Sequence, residues 1–101
     1  MNYKKIKEGI INIMKEFDFF IIGDDSNYLV FKYCGDNVDY EICEEDFNCR
    51  AEYDDYIEEQ DDIVIANKRE AIKILRNRNN LKIENHEICY DNFEPEIIIY
   101  F

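Results

Sequence analysis

Ile10-Ile11-Asn12-Ile13-Met14-Lys15-Glu16-Phe17-Asp18-Phe19-Phe20-Ile21-Ile22-Gly23 changes its period halfway along. Around its first half, Ile6, Ile10, Ile13, Met14 and Phe17 recur at spacings of 4, 3, 1 and 3, the apolar stripe of a helix. From Phe19 the run is short, continuous and apolar, and Gly23-Asp24-Asp25-Ser26-Asn27 closes it with turn formers. That is the pattern of a strand followed by a turn. The spacing predicts a helix over residues 2–17 and a strand over 19–22. It places the chain in the α+β class, an antiparallel sheet with an N-terminal amphipathic helix on one face.

Working outward, residues 28–34 and 38–43 read as two further strands about a Gly35-Asp36-Asn37 turn. In the second of these, Val38, Tyr40 and Ile42 alternate with Asp39, Glu41 and Cys43, so the three runs predict an antiparallel meander. Residues 44–62 are an acidic excursion pinned by Phe47, Tyr53, Tyr56 and Ile57; one or two helical turns fit it, and so does an edge strand over 47–53. Ile63-Val64-Ile65 is strand-like. A second helix is expected near 67–78, with Asn67 and Glu70 as a capping box and Ala71, Ile72 and Leu75 facing the core. Lys73, Arg76 and Arg78 suit its C-terminal dipole, and Asn77, Asn79 and Asn80 help to stop it. Residues 81–85 and 87–92 read as strands on either side of His86, and 96–101 as a last strand. That strand is either buried on both faces, giving a monomer, or an exposed edge that pairs with another copy as a homodimer.

The chain has 101 residues, one domain's worth, and its 47% hydrophobic content is too high for a disordered acidic tail. Its apolar runs fall far short of the roughly 18 residues of a membrane span. The N-terminus leads into an amphipathic segment, so neither a signal peptide nor a membrane partner is expected, and the setting is read as cytoplasmic.

Net charge is −12, and its placement is more informative than its size. Between Asp36 and Asp62 there are thirteen acidic residues and one basic residue, Arg50. The remainder holds eleven of each sign, so the whole imbalance sits in about a quarter of the chain and must produce a directional field. Lys68, Arg69, Lys73, Arg76, Arg78 and Lys82 cluster against Glu70. If the acidic block folds back on this basic helix, the two charges partly cancel.

No catalytic signature accompanies this charge. Ser26 is the one serine and His86 the one histidine; Ser26 sits among turn formers, and Cys89 lies on the opposite strand face from His86 at i+3. Cys34, Cys43, Cys49 and Cys89 contain no CxxC spacing, so four reduced thiols are expected rather than a zinc or redox motif. An EF-hand beginning at Asp46 fails, because Arg50 occupies the fifth position and no glycine the sixth. No cofactor, no metal and no enzymatic activity is expected.

The first 46 residues resemble small acidic phage-encoded anti-CRISPR proteins that block Cas9. The likeness rests on the helix from Ile6 to Phe17, the strand from Phe19, Gly23-Asp24-Asp25-Ser26-Asn27, the strand from Tyr28, Gly35-Asp36-Asn37, and the stretch from Val38 into Asp46. What the resemblance implies is nucleic-acid mimicry, with carboxylates occupying the basic site where Cas9 reads the PAM duplex. Asp36, Asp39, Glu41, Glu44, Glu45 and Asp46 would carry it here.

Charge and resemblance lead to one expectation: an inhibitor that binds a basic nucleic-acid-handling protein, a CRISPR effector or a nuclease, and no nucleic acid directly. Its candidate partner-binding residues are Asp36, Asp39, Tyr40, Glu41, Glu44, Glu45, Asp46, Tyr53, Asp54, Asp55, Tyr56, Glu58 and Glu59, the tyrosines as interface anchors. An immunity protein covering a toxin nuclease follows from the same physics. The other alternative is a domain whose charge serves only solubility.

Overall fold

The computed structural model describes residues 3–78, 81, 83–91 and 94–101. Asn2, Asn79, Asn80, Lys82 and Asn92, which carry parts of the expected helices and strands, lie outside the described residues. In chain order the elements are α1 (Tyr3–Glu16), β1 (Phe19–Asp24), β2 (Tyr28–Tyr33), a 3-10 turn (Glu44–Asp46), α2 (Arg50–Arg76), β3 (Asn85–Asp91) and β4 (Glu94–Tyr100). The four strands make one antiparallel sheet in the order β1-β2-β4-β3. The α+β class holds.

α1 buries the stripe read from its spacing: Ile6, Ile10, Ile13 and Met14. Gly9 sits mid-helix because Leu81 crosses there; a Cβ would lie 2.6 Å from Leu81 Cδ2. The helix ends on Asp18, whose φ of 65° is left-handed. Its backbone N–H closes onto the Lys15 carbonyl at 3.1 Å, reversing the chain into β1. Register then fixes the faces. Phe31 pairs with Ile21 and Ile97, and Leu29 with Ile99. Phe19, Leu29, Phe31, Ile97 and Ile99 are buried against Ile10, Met14, Val64, Ala71 and Leu75 of the two helices. Both helices therefore cover the same side of the sheet, while Phe20 and Ile22 on the other side are nearly half exposed.

Four expectations are corrected. Residues 38–43 leave the sheet. Val38, Tyr40 and Ile42 are half-buried and alternate with exposed neighbours as expected, but the segment bonds to α2 through the Asp39 N–H and the Tyr40 hydroxyl and no strand pairs with it. The meander, and the third strand of the anti-CRISPR likeness, are absent. The second helix starts at Arg50, not near 67, and absorbs both the acidic excursion and Ile63-Val64-Ile65. Asn67 is interior rather than a cap: its Nδ2 donates to the Ile63 carbonyl at 3.0 Å and the Tyr33 hydroxyl at 3.2 Å. Near His86 there is one strand, β3, instead of two. Finally, β4 is hydrogen-bonded to β2 on one side and β3 on the other. It buries Pro95, Ile97 and Ile99 on one face only, so the route to a dimer through that strand is closed.

Twenty-seven residues of helix span about 40 Å at 1.5 Å each. That exceeds both shorter dimensions of the molecule, which measures 54 × 23 × 20 Å. No α2 side chain before Gln60 is buried. The N-terminal half of α2 therefore projects from the body as an arm.

Candidate functional site

The acidic block is that arm. Its helical half, residues 50–62, carries seven acids and Arg50; the strap of residues 36–49 laid along it carries six acids and no base. Because the basic residues 68–76 continue the same rigid helix, the acidic block cannot fold back onto them. The charges are separated along one axis instead of cancelling.

Three contacts fasten the strap. Gln60 is buried, and its Oε1 accepts from the Asp39 backbone N–H at 3.0 Å while its Nε2 donates to the Tyr56 carbonyl. The Tyr40 hydroxyl donates to Asp61 Oδ1 at 2.7 Å. The Phe47 ring lies 5.6 Å from Tyr53 and 5.4 Å from Tyr56, centroid to centroid. Backbone groups of the strap that a sheet would have paired turn to side chains. The Glu41 N–H donates to Asp39 Oδ1 at 3.0 Å, and the Cys43 N–H to Asp46 Oδ2 at 3.3 Å.

These contacts sort the candidate residues. Asp36, Glu41, Glu44, Glu45, Asp54, Asp55, Glu58 and Glu59 are exposed. Asp39 and Asp46 are exposed too, each lending one oxygen to the strap backbone. Tyr40, Tyr53 and Tyr56 are half-buried between strap and helix, so the structure places them inside the arm rather than on its outer surface. Burial and the bond to Asp61 push the Tyr40 phenol far above its ordinary range, keeping it a neutral donor. Burial also raises Asp61; its hydrogen bond from Tyr40 works against that, and Asp62 adds to it. Glu52, Asp62 and Gln60 were not among the candidates. The first two share the exposed helix surface, and Gln60 was signalled only by falling four residues from both Tyr56 and Val64 in the half-buried stripe.

Twelve of the thirteen acids between Asp36 and Asp62 are exposed, Asp61 being the exception, so the field points outward. On the helix, Asp54 and Glu58, Asp55 and Glu59, and Glu58 and Asp62 are like charges at i, i+4. Each such pair costs about 0.2–0.5 kcal/mol. Arg50 offsets little: it lies 3.7 Å from Glu44 and 3.9 Å from Asp54 and is 72% exposed. The free arm therefore stores repulsion that a cationic partner would relieve.

The serine, histidine and cysteines singled out from the sequence are not brought together among the described residues. Ser26 is in the β1–β2 turn, bonded to Asp25. His86 faces the helices opposite Ile99, whereas Cys89 pairs with Glu96 on the other face of the sheet. The four cysteines are free and exposed. Among the described residues, no three His, Cys, Asp or Glu side chains are grouped to hold a metal ion, and no helix is long and apolar enough to cross a membrane. No protein-family model matches the chain, and no curated protein or solved structure shows significant similarity to it.

Proposed function

We propose that this protein is an inhibitor that binds a basic nucleic-acid-handling protein through its acidic arm and occupies that protein's nucleic-acid site. It acts by occupancy, without catalysis of its own. The observation that carries the reading is the concentration of the full −12 on one protruding, outward-charged element. A groove built for nucleic acid presents Arg and Lys to phosphates. Carboxylates on successive turns, Asp55 to Glu59 and Glu59 to Asp62, have Cβ atoms about 5–6 Å apart. That is close to two nucleotide steps of about 3.4 Å on one strand. A clustered charge also accelerates the encounter at low salt.

The test is capture of partners from the source cells' lysate with elution by a salt gradient, followed by competition with DNA or RNA. Glu44→Gln, Glu45→Gln, Glu58→Gln and Glu59→Gln combined keep the shape and remove four exposed charges. Affinity is expected to fall roughly a hundredfold, about 2.8 kcal/mol. Glu8→Gln, Glu16→Gln, Glu84→Gln and Glu87→Gln combined should leave it intact. A partner that binds both variants equally, or that is not displaced by nucleic acid, overturns the mimicry.

A further inference from the structure

At the opposite end of α2 lies a groove of the other sign. Arg69, Ile72, Lys73, Arg76 and Asn77 form one wall and His86 of β3 the other, enclosing about 340 Å³. Arg69, Lys73 and Arg76 stand at i, i+4 and i+7, on one helix face. None has an ion-pair partner among the described residues, although acids outnumber bases two to one in the chain. His86 Nδ1 is buried with no hydrogen-bond partner. Burial, with Lys68 and Arg76 nearby, holds the imidazole below its ordinary range, so the ring is largely neutral at pH 7. Helix-dipole compensation accounts for cations in the last turn. It does not account for Arg69, two turns back, or for an imidazole set among cations where a carboxylate would pair with them.

We propose that this groove is a binding site for a small phosphate-bearing anion, gripped by Arg69, Lys73 and Arg76 with the His86 ring as its far wall. Two guanidiniums and an ammonium on one face match the oxygens of a phosphoryl group, the arginines in bidentate fashion. Ile72 adds an apolar wall, and the volume is at the small end of ligand sites. Electrostatics select for size. Asp62, the nearest carboxylate of the arm, lies seven helical residues from Arg69, and Asp55 lies eighteen from Lys73, about 10 and 27 Å, or roughly one to three Debye lengths at physiological salt. A small anion in the groove is therefore largely screened from the outer carboxylates of the arm, whereas an extended polyanion reaching along the helix meets them.

The one histidine makes the site directly observable. The full-length protein is titrated at about 0.15 M sodium chloride, where the outer arm is screened, with sodium pyrophosphate, with adenosine monophosphate and with a short single-stranded oligonucleotide, following the His86 ring proton resonances. Saturable shifts are expected with pyrophosphate or the nucleotide, and whichever binds more tightly separates inorganic phosphate from phosphate ester as the source. Arg69→Gln with Arg76→Gln, both exposed in the parent, should weaken binding about tenfold or more. Lys73→Gln alone should weaken it about threefold, and Glu58→Gln with Glu59→Gln should leave it unchanged. The proposal is overturned by the absence of a saturable His86 shift, by equal affinity in the arginine and lysine variants once circular dichroism shows them folded, or by an oligonucleotide that saturates the site as readily as pyrophosphate.

Discussion

The two halves of α2 share one hydrogen-bond ladder and little else. From Arg50 to Asp62 the helix carries seven acids against one base; from Ile63 to Arg76 it carries four bases against one acid. The second half buries Val64, Ala71, Ile72 and Leu75 in the core, while the first buries only Gln60, a polar residue at its very end. One half is helical because tertiary packing selects an apolar face. The other is helical because it continues an established helix, places its acids toward the positive end of the macrodipole, and is clasped by Phe47, Tyr40 and the Asp39 N–H. The lesson is that a helix can be extended past its core by a strap, at the cost of like-charge repulsion, when the exposed surface is itself what is needed.

The largest expected effect tests whether the halves differ in weight. Leu75→Ala removes a fully buried side chain and should cost about 3 kcal/mol in urea unfolding. Ile57→Ala in the arm, half-buried at most, should cost less than about 1 kcal/mol. Equal losses would mean the arm belongs to the cooperative core. Next, Gln60→Ala should cost about 1.5 kcal/mol, because it frees the Asp39 N–H. Hydrogen exchange should accelerate at Asp39 and across the strap while residues 64–75 stay protected. A smaller effect of opposite sign is expected from Glu58→Gln, which relieves repulsion with Asp54 and Asp62 and should stabilise by about 0.5–1 kcal/mol at low salt. Raising sodium chloride to about 0.5 M should shrink that gain and stabilise the parent chain itself.

The smallest effect is in pH dependence. Asp61 is raised above its ordinary 3.8 in the fold, chiefly by burial, so the folded chain holds that proton more tightly than the unfolded chain. Its contribution favours folding when protonated and is lost as pH rises from about 3.8 through the raised value. Asp61→Asn retains an acceptor for Tyr40 and should flatten this part of the stability–pH curve. Denaturant melts between pH 3.5 and 7 check it, and an unchanged slope would show that Asp61 is solvated like its neighbours.

How much of this was legible in the sequence follows the same divide. α1, the β1–β2 hairpin and the core face of the C-terminal half of α2 were readable because apolar residues recur there at one period. The charge map was readable by counting. The length of α2 was hidden because the half-buried stripe that joins its halves passes through Gln60 and Asn67. Asn67, with Glu70 beyond it, imitates a helix start, and Ile63-Val64-Ile65 imitates a strand. The strap is hidden for a subtler reason. Period-two burial reports an extended backbone, and an extended backbone can lie against a helix as well as in a sheet. The centrality of β4 depends on which strands return beside it, a long-range choice that its own run of isoleucines does not encode. Of the candidate site, the carboxylates were found and the inward turn of the three tyrosines was not, since an aromatic residue between acids reads alike whether it faces a partner or its own chain.

Because α2 runs unbroken from Arg50 to Arg76, reach and aim of the charged end are set by separate arithmetic. Each residue turns the axis by roughly 100° and advances it by about 1.5 Å. One residue removed between Val64 and Asn67 would keep Ala71 and Leu75 seated while unseating Val64 and swinging the arm's seven helical carboxylates about a quarter-turn, off the strap that Gln60 and Tyr40 hold in line. Seven residues added at the same place would restore the phase to within about 20° and carry the arm about 10 Å farther out. The helix thus behaves as a vernier: steps of a single residue choose the direction in which the carboxylates look, and steps of a heptad choose how far from the body they stand.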